Sequence, residues 1–129
     1  MADWARHCRA PDMDVTSTGV KVQLYSGRKQ HIRVQAIDGQ LVLGTTVVSG
    51  NRLPAFSDEA EEDRFRMRVW HMNRGMPLIG LRFDERDRLV AESYVPTEGL
   101  TSAEFQYYLR NLAKEADRLE FIITGEDKE

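Results

Sequence analysis

The sequence is sparing in the residues that mark specialised classes of protein. Cys8 is the only cysteine in 129 residues, so no intrachain disulfide and no paired-thiol motif can form. A lone thiol near a terminus, with no base or pocket assigned to it, reads as inert. Nine glycines and four prolines are too few for a collagen-like or low-complexity chain. No stretch approaches the ~18 uninterrupted apolar residues of a membrane-spanning helix. Met1 to Arg9 also lack the apolar core of a secretory leader, so no membrane partner and a cytoplasmic location are expected. Phosphate-binding, dinucleotide-binding, zinc-protease and serine-hydrolase motifs are all missing. The chain is therefore expected not to be an enzyme, with no catalytic residue, cofactor or metal ligand assigned. His7, His31 and His71 fall in three separate segments and suit surface or capping roles better than a zinc trio.

What is present suits a soluble domain: 41% hydrophobic and 30% charged residues. Residues 1–129 are expected to form one domain, with 1–18 and 126–129 irregular or frayed. The net charge of −3 is unevenly spread. Residues 1–56 carry +3, residues 57–76 carry −1, and residues 77–129 carry −5. The overall sign argues against a general nucleic-acid binder, because phosphate neutralisation needs clustered Lys and Arg. The asymmetry could still orient a partner or a second copy of the chain.

Between Val20 and Val48 the pattern predicts three antiparallel strands. Val20, Val22 and Leu24 alternate with polar residues, as do Ile32, Val34 and Ala36 with His31, Arg33 and Gln35. Asp38-Gly39 is a type I′ hairpin signal before Leu41–Val48, an apolar run that suits a central strand. After a loop containing Pro54, Ser57 or Asp58 can cap a helix that begins with acids, continues with Arg64, Arg66, Arg68 and Arg74, and ends before Gly75. Its core stripe is Phe65, Val69 and Met72. Trp70 lies about 140° from Phe65, with Met67 on the same side, so the helix has a second apolar face. Strands are expected over Leu78–Phe83 and Leu89–Val95. Thr101-Ser102-Ala103-Glu104 is a capping box flanked by Leu100 and Phe105, and it opens a long helix that runs to Gly125. The order βββ–α–ββ–α describes an α+β domain on an antiparallel sheet.

Two sets of residues stand out as candidate contacts. Met67, Trp70 and Arg74 form the candidate dimer interface, because an exposed Trp beside a Met suits burial against another protein. His31, Arg33 and Gln35, on the polar side of one strand, are the candidate partner-binding residues. The five acids of 58–63 complement the helix dipole rather than converging on one ion.

From Leu41 to Glu129 the chain resembles the YbjN-like proteins, a bacterial family whose fold is similar to that of type III secretion chaperones. The resemblance is carried by Trp70-His71-Met72-Asn73-Arg74, Pro77-Leu78-Ile79-Gly80-Leu81-Arg82-Phe83 and Arg88-Leu89-Val90. Tyr94-Val95-Pro96, Leu100-Thr101-Ser102-Ala103-Glu104-Phe105, the run Leu112–Glu120 and Gly125-Glu126-Asp127 complete it. It implies a secretion-chaperone-like order, (short α)-β-β-β-α-β-β-α, and a homodimer that binds other proteins. Only about Ala2 to Ala10 can be helical before Pro11, shorter than in the chaperone pattern. The expected function is a non-enzymatic, chaperone- or adaptor-like interaction module acting on an unidentified protein client. The alternative is a ligand-sensing or nucleic-acid-associated regulator using Lys21, Arg28, Lys29, His31 and Arg33.

Overall fold

The alternating pattern of the first half builds most of one antiparallel sheet in the computed structural model, which describes residues 3–25, 27–48, 58–76 and 78–124. Its strands are β1 (Met13–Val15), β2 (Gly19–Gln23), β3 (Lys29–Ile37), β4 (Gln40–Val48), β5 (Gly80–Phe83) and β6 (Leu89–Pro96). They lie in the order β1-β2-β3-β4-β6-β5. Two α-helices, α1 (Glu59–Arg74) and α2 (Ser102–Thr124), complete the α+β fold.

The β3–β4 hairpin turns where its chemistry directs. Asp38 and Gly39 both have positive φ, 47° and 78°, as a type I′ turn requires. The long apolar run becomes β4, which pairs with β3 on one side and β6 on the other. Enclosed by two neighbours, β4 buries Leu41, Leu43 and Thr45 toward the helices, while Val42 and Thr46 on the other face are half-buried.

Two corrections concern the ends of elements. Residues 1–18 are not simply irregular: Asp3–His7 form a 3-10 helix, where a short α-helix is expected, and β1 pairs with β2. Three residues carry too little pattern to reveal a strand, and β1 owes its form to its neighbour. Residues 126–129 lie outside the described residues, as does the loop around Pro54. The fifth strand begins at Gly80 rather than Leu78, because Leu78 has a φ of 72°. The buried Ser93 hydroxyl donates to the Leu78 carbonyl at 2.7 Å and holds that turn against β6.

One core lies on one side of the sheet. Phe105, Leu109, Leu112, Ala113, Ala116 and Leu119 of α2 are fully buried there, with Leu41 and Leu43 of β4 and Val95 of β6. Burying each large side chain contributes about 2 kcal/mol. The capping box forms as expected: the Thr101 hydroxyl accepts from the Glu104 N–H at 3.1 Å, and the Glu104 carboxylate accepts from the Thr101 N–H at 3.0 Å. Phe65 and Val69 turn α1 onto the same core, with Phe65 against Phe83 of β5. Trp4, Ala5 and Cys8 join from the N-terminal segment. That segment is tied to α2 where Gln106 donates to the His7 carbonyl at 2.8 Å. The helices thus share one face of the sheet.

Candidate functional site

Helix α1 is set by its ends. Asp58 accepts from the Glu61 N–H at 2.9 Å, and the Gly75 N–H bonds back to the Met72 carbonyl. Inward-facing Phe65 and Val69 then fix the rotation of the helix. Met67 and Trp70 consequently face outward, 55% and 52% exposed. The Arg74 guanidinium stacks over the Trp70 ring at 5.1 Å, and the His71 ring meets Trp70 edge-on. Met67, Trp70 and Arg74 therefore lie on one side of α1, as an amphipathic patch.

The second set sits elsewhere. His31, Arg33 and Gln35 alternate on the sheet face turned away from the helices. His31 Nε2 lies 3.1 Å from the Thr16 hydroxyl and 3.3 Å from that of Thr18. Partial burial, then the charges of Lys21 and Arg33, hold the His31 imidazole below its ordinary pKa of 6.5. Arg33 packs over Gly44, and Gln35 aligns across the sheet with Val42 and Tyr94. The two sets of candidate residues thus lie on different faces and cannot form one site.

A third feature escapes sequence reasoning. A groove of about 620 Å³ runs between α2 and the end of β2, lined by Leu24, Tyr25, Tyr107, Asn111 and Lys114. Two bidentate ion pairs tie its sides together: Arg110 to Asp12 at 2.8 and 3.0 Å, and Arg28 to Asp117 at 2.9 and 2.7 Å. The Arg110 guanidinium, hydrogen-bonded to Asp12, holds that carboxyl below the ordinary value of 3.8. These partners are about a hundred residues apart, and no local pattern announces them.

No group of His, Cys, Asp and Glu able to hold a metal occurs among the described residues. Among them, too, no helix is long and apolar enough to cross a membrane. Burial pushes the Cys8 thiol up to about 11, well away from the range of a reactive nucleophile.

A six-stranded antiparallel sheet covered on one side by a long C-terminal helix has the fold of the type III secretion chaperones. The chain is similar to a chain in the structure of the ExsC-ExsE complex, with a TM-score of 0.55 at 18% identity over 95% of this chain and 90% of that one. It is similar to a chain in the structure of the Yersinia pestis type III secretion chaperone SycH bound to a stable fragment of YscM2. There the TM-score is 0.51 at 15% identity, covering 91% of this chain and 93% of the other. A chain of the HopA1-SchA chaperone-effector complex matches with a TM-score of 0.53 at 13% identity, over 88% and 84% of the two chains. No protein-family model and no curated protein matches the sequence. The YbjN-like resemblance therefore rests on the residues that carry it, while the chaperone-like fold it implies is the one found.

Proposed function

We propose that this protein is a non-enzymatic, cytoplasmic interaction module of the YbjN-like kind that works as a homodimer and binds a protein client in the manner of a chaperone or adaptor. The observation that carries the reading is the exposed Met67/Trp70/Arg74 patch on a helix whose core face is already complete. Such a patch is costly in water and gains stability by burial against another surface. Helix α1 is also self-complementary in charge. Glu59, Glu61 and Glu62 occupy its first turn, while His71 and Arg74 occupy its last; between them Arg66 pairs with Glu62 and Arg68 donates to the Ile122 carbonyl of α2. Two copies packed antiparallel about a two-fold axis near Met67 set the acidic first turn of each against the basic last turn of the other, as suits an isologous interface.

The fold supports the client half of the proposal, since chaperones in complex with protein partners share it. The sheet also offers room. Among the described residues no helix covers the face bearing His31, Arg33 and Gln35, and nothing pairs with the outer edge of β1 at Val15. An extended segment can dock on such a surface.

Analytical ultracentrifugation of the wild type and Trp70→Asp tests the dimer. The wild type should sediment as a dimer and the variant as a folded monomer. Identical folded monomers would refute the interface.

A further inference from the structure

The open sheet face carries charge of the opposite sign to the molecule as a whole. The chain is −3 overall, yet this face presents Lys21, Lys29, Arg33 and Arg82. Among the described strand residues, only Asp14 and Glu92 answer them there. Both carboxylates are engaged, Asp14 at 3.9 Å from Lys29 and Glu92 at 2.9 Å from Arg82. Lys21 and Arg33 make no ion pair among the described residues.

The register gathers these two cations around His31. Lys21 stands directly opposite it on β2, and Arg33 follows two residues along β3 on the same face. Cross-strand neighbours of this kind have Cβ atoms roughly 5–7 Å apart, and like charges so placed oppose folding. Thr16 and Thr18 add hydroxyls beside the ring. The Arg33 side chain reaches over Gly44 of the neighbouring strand. Beyond this cationic zone the same face carries no charge on its paired strands, and apolar side chains stand among Gln35 and Gln40. Gln35, Val42 and Tyr94 form one row across three strands, and Ile37 follows, with Tyr94 and Ile37 well exposed.

We propose that this face binds an extended acidic and apolar segment of a protein client, with carboxylates on Lys21 and Arg33 and apolar side chains on Ile37, Val42 and Tyr94. The proposal rests on the reading of the protein as a client binder and gives that client its chemistry. A phosphate backbone suits the face less well. The unpaired cations are few and clustered, and a charged strand gains nothing from the uncharged half. A carboxylate held between Lys21 and Arg33 also offsets the repulsion they exert on His31. Because Asp14, Lys21, Lys29 and Arg33 are the charged strand groups around that ring, His31 reports on occupancy.

The test uses the full chain with fluorescein-labelled synthetic peptides that alternate Glu with Leu or Gln with Leu, and a labelled oligo-dT. Fluorescence anisotropy at low salt should show the Glu/Leu peptide binding about tenfold more tightly than the Gln/Leu peptide. The double variant Lys21→Gln/Arg33→Gln should lose about that factor for the Glu/Leu peptide alone, with an unchanged circular dichroism spectrum. Histidine NMR should show the His31 titration moving to higher pH when the Glu/Leu peptide is bound. Equal affinity for the two peptides, no detectable Glu/Leu binding, or wild-type binding by the double variant would overturn the proposal. So would tighter binding of oligo-dT. Loss of self-association in the double variant would also overturn it, by giving the face to a second copy. The peptide and oligo-dT outcomes do not involve Trp70, so they are read separately from the dimer interface on α1.

Discussion

Cys8 illustrates how far a single residue's role depends on its surroundings. Its side chain is buried beside Trp4, its S–H directed toward the Trp4 carbonyl at 3.9 Å, and burial raises its pKa to about 11. Thiolate is therefore scarce at neutral pH, and access requires the N-terminal segment to detach. Ellman's reagent should label the native protein at least about a hundredfold more slowly than the unfolded chain, and labelling at the unfolded rate would show that the segment is not docked. Inertness was legible from the absence of a partner base, whereas burial was not, because nothing near Cys8 in sequence marks it as core. Asp38 and Gly39 are the opposite case. Their backbone needs are local, so the residue types alone reveal the turn.

At the scale of elements, the strongest signals were those with short-range physics. The Thr101–Glu104 box forms where residue spacing places it, and of the two cap candidates Ser57 and Asp58 it is Asp58 that accepts from the Glu61 N–H, since each cap satisfies amides within its own first turn. Asn73 had no such signal. Its side-chain amide donates to the Leu81 carbonyl at 3.0 Å and accepts from the Leu81 N–H, so α1 closes the exposed edge of β5 as another strand would. Edge strands left open invite pairing with other chains. Asn73→Ala should destabilise the fold by roughly 1–3 kcal/mol in urea unfolding, because two edge groups lose their partner. It should also raise light scattering on mild heating. An unchanged midpoint would show that water satisfies this edge as well as Asn73 does.

For the molecule as a whole, acidification should weaken the fold in two separate steps. The folded state holds His31 below 6.5, so the unfolded chain binds more protons just below that pH. Stability is then fully present above 6.5 and declines as pH falls toward the folded value. Asp12 is likewise depressed below 3.8, so the support from its pair with Arg110 is present above that pH and declines at lower pH. Urea midpoints measured across pH should show both steps, and His31→Gln should remove only the upper one. A flat profile between pH 7 and 5 in the wild type would refute the role given to His31. Charge also acts at this scale. The +3 of the first half becomes a surface only because β2 and β3 pair in a register that aligns Lys21, His31 and Arg33.

Sequence alone determined the order of β2 to β6 and of the two α-helices, the Asp38-Gly39 turn, the capping box of α2 and the inward face of α1. All of these arise from interactions within a few residues and from the two periods, 2.0 and 3.6, that separate faces. The structure alone decided that β1 joins the sheet, that the N-terminal segment docks on α2, and that the two candidate surfaces lie on different faces. It also brought Asp12 to Arg110 and Asn73 to Leu81. Those outcomes depend on contacts between distant parts of the chain, which become defined only when the sheet and α2 close on a common core.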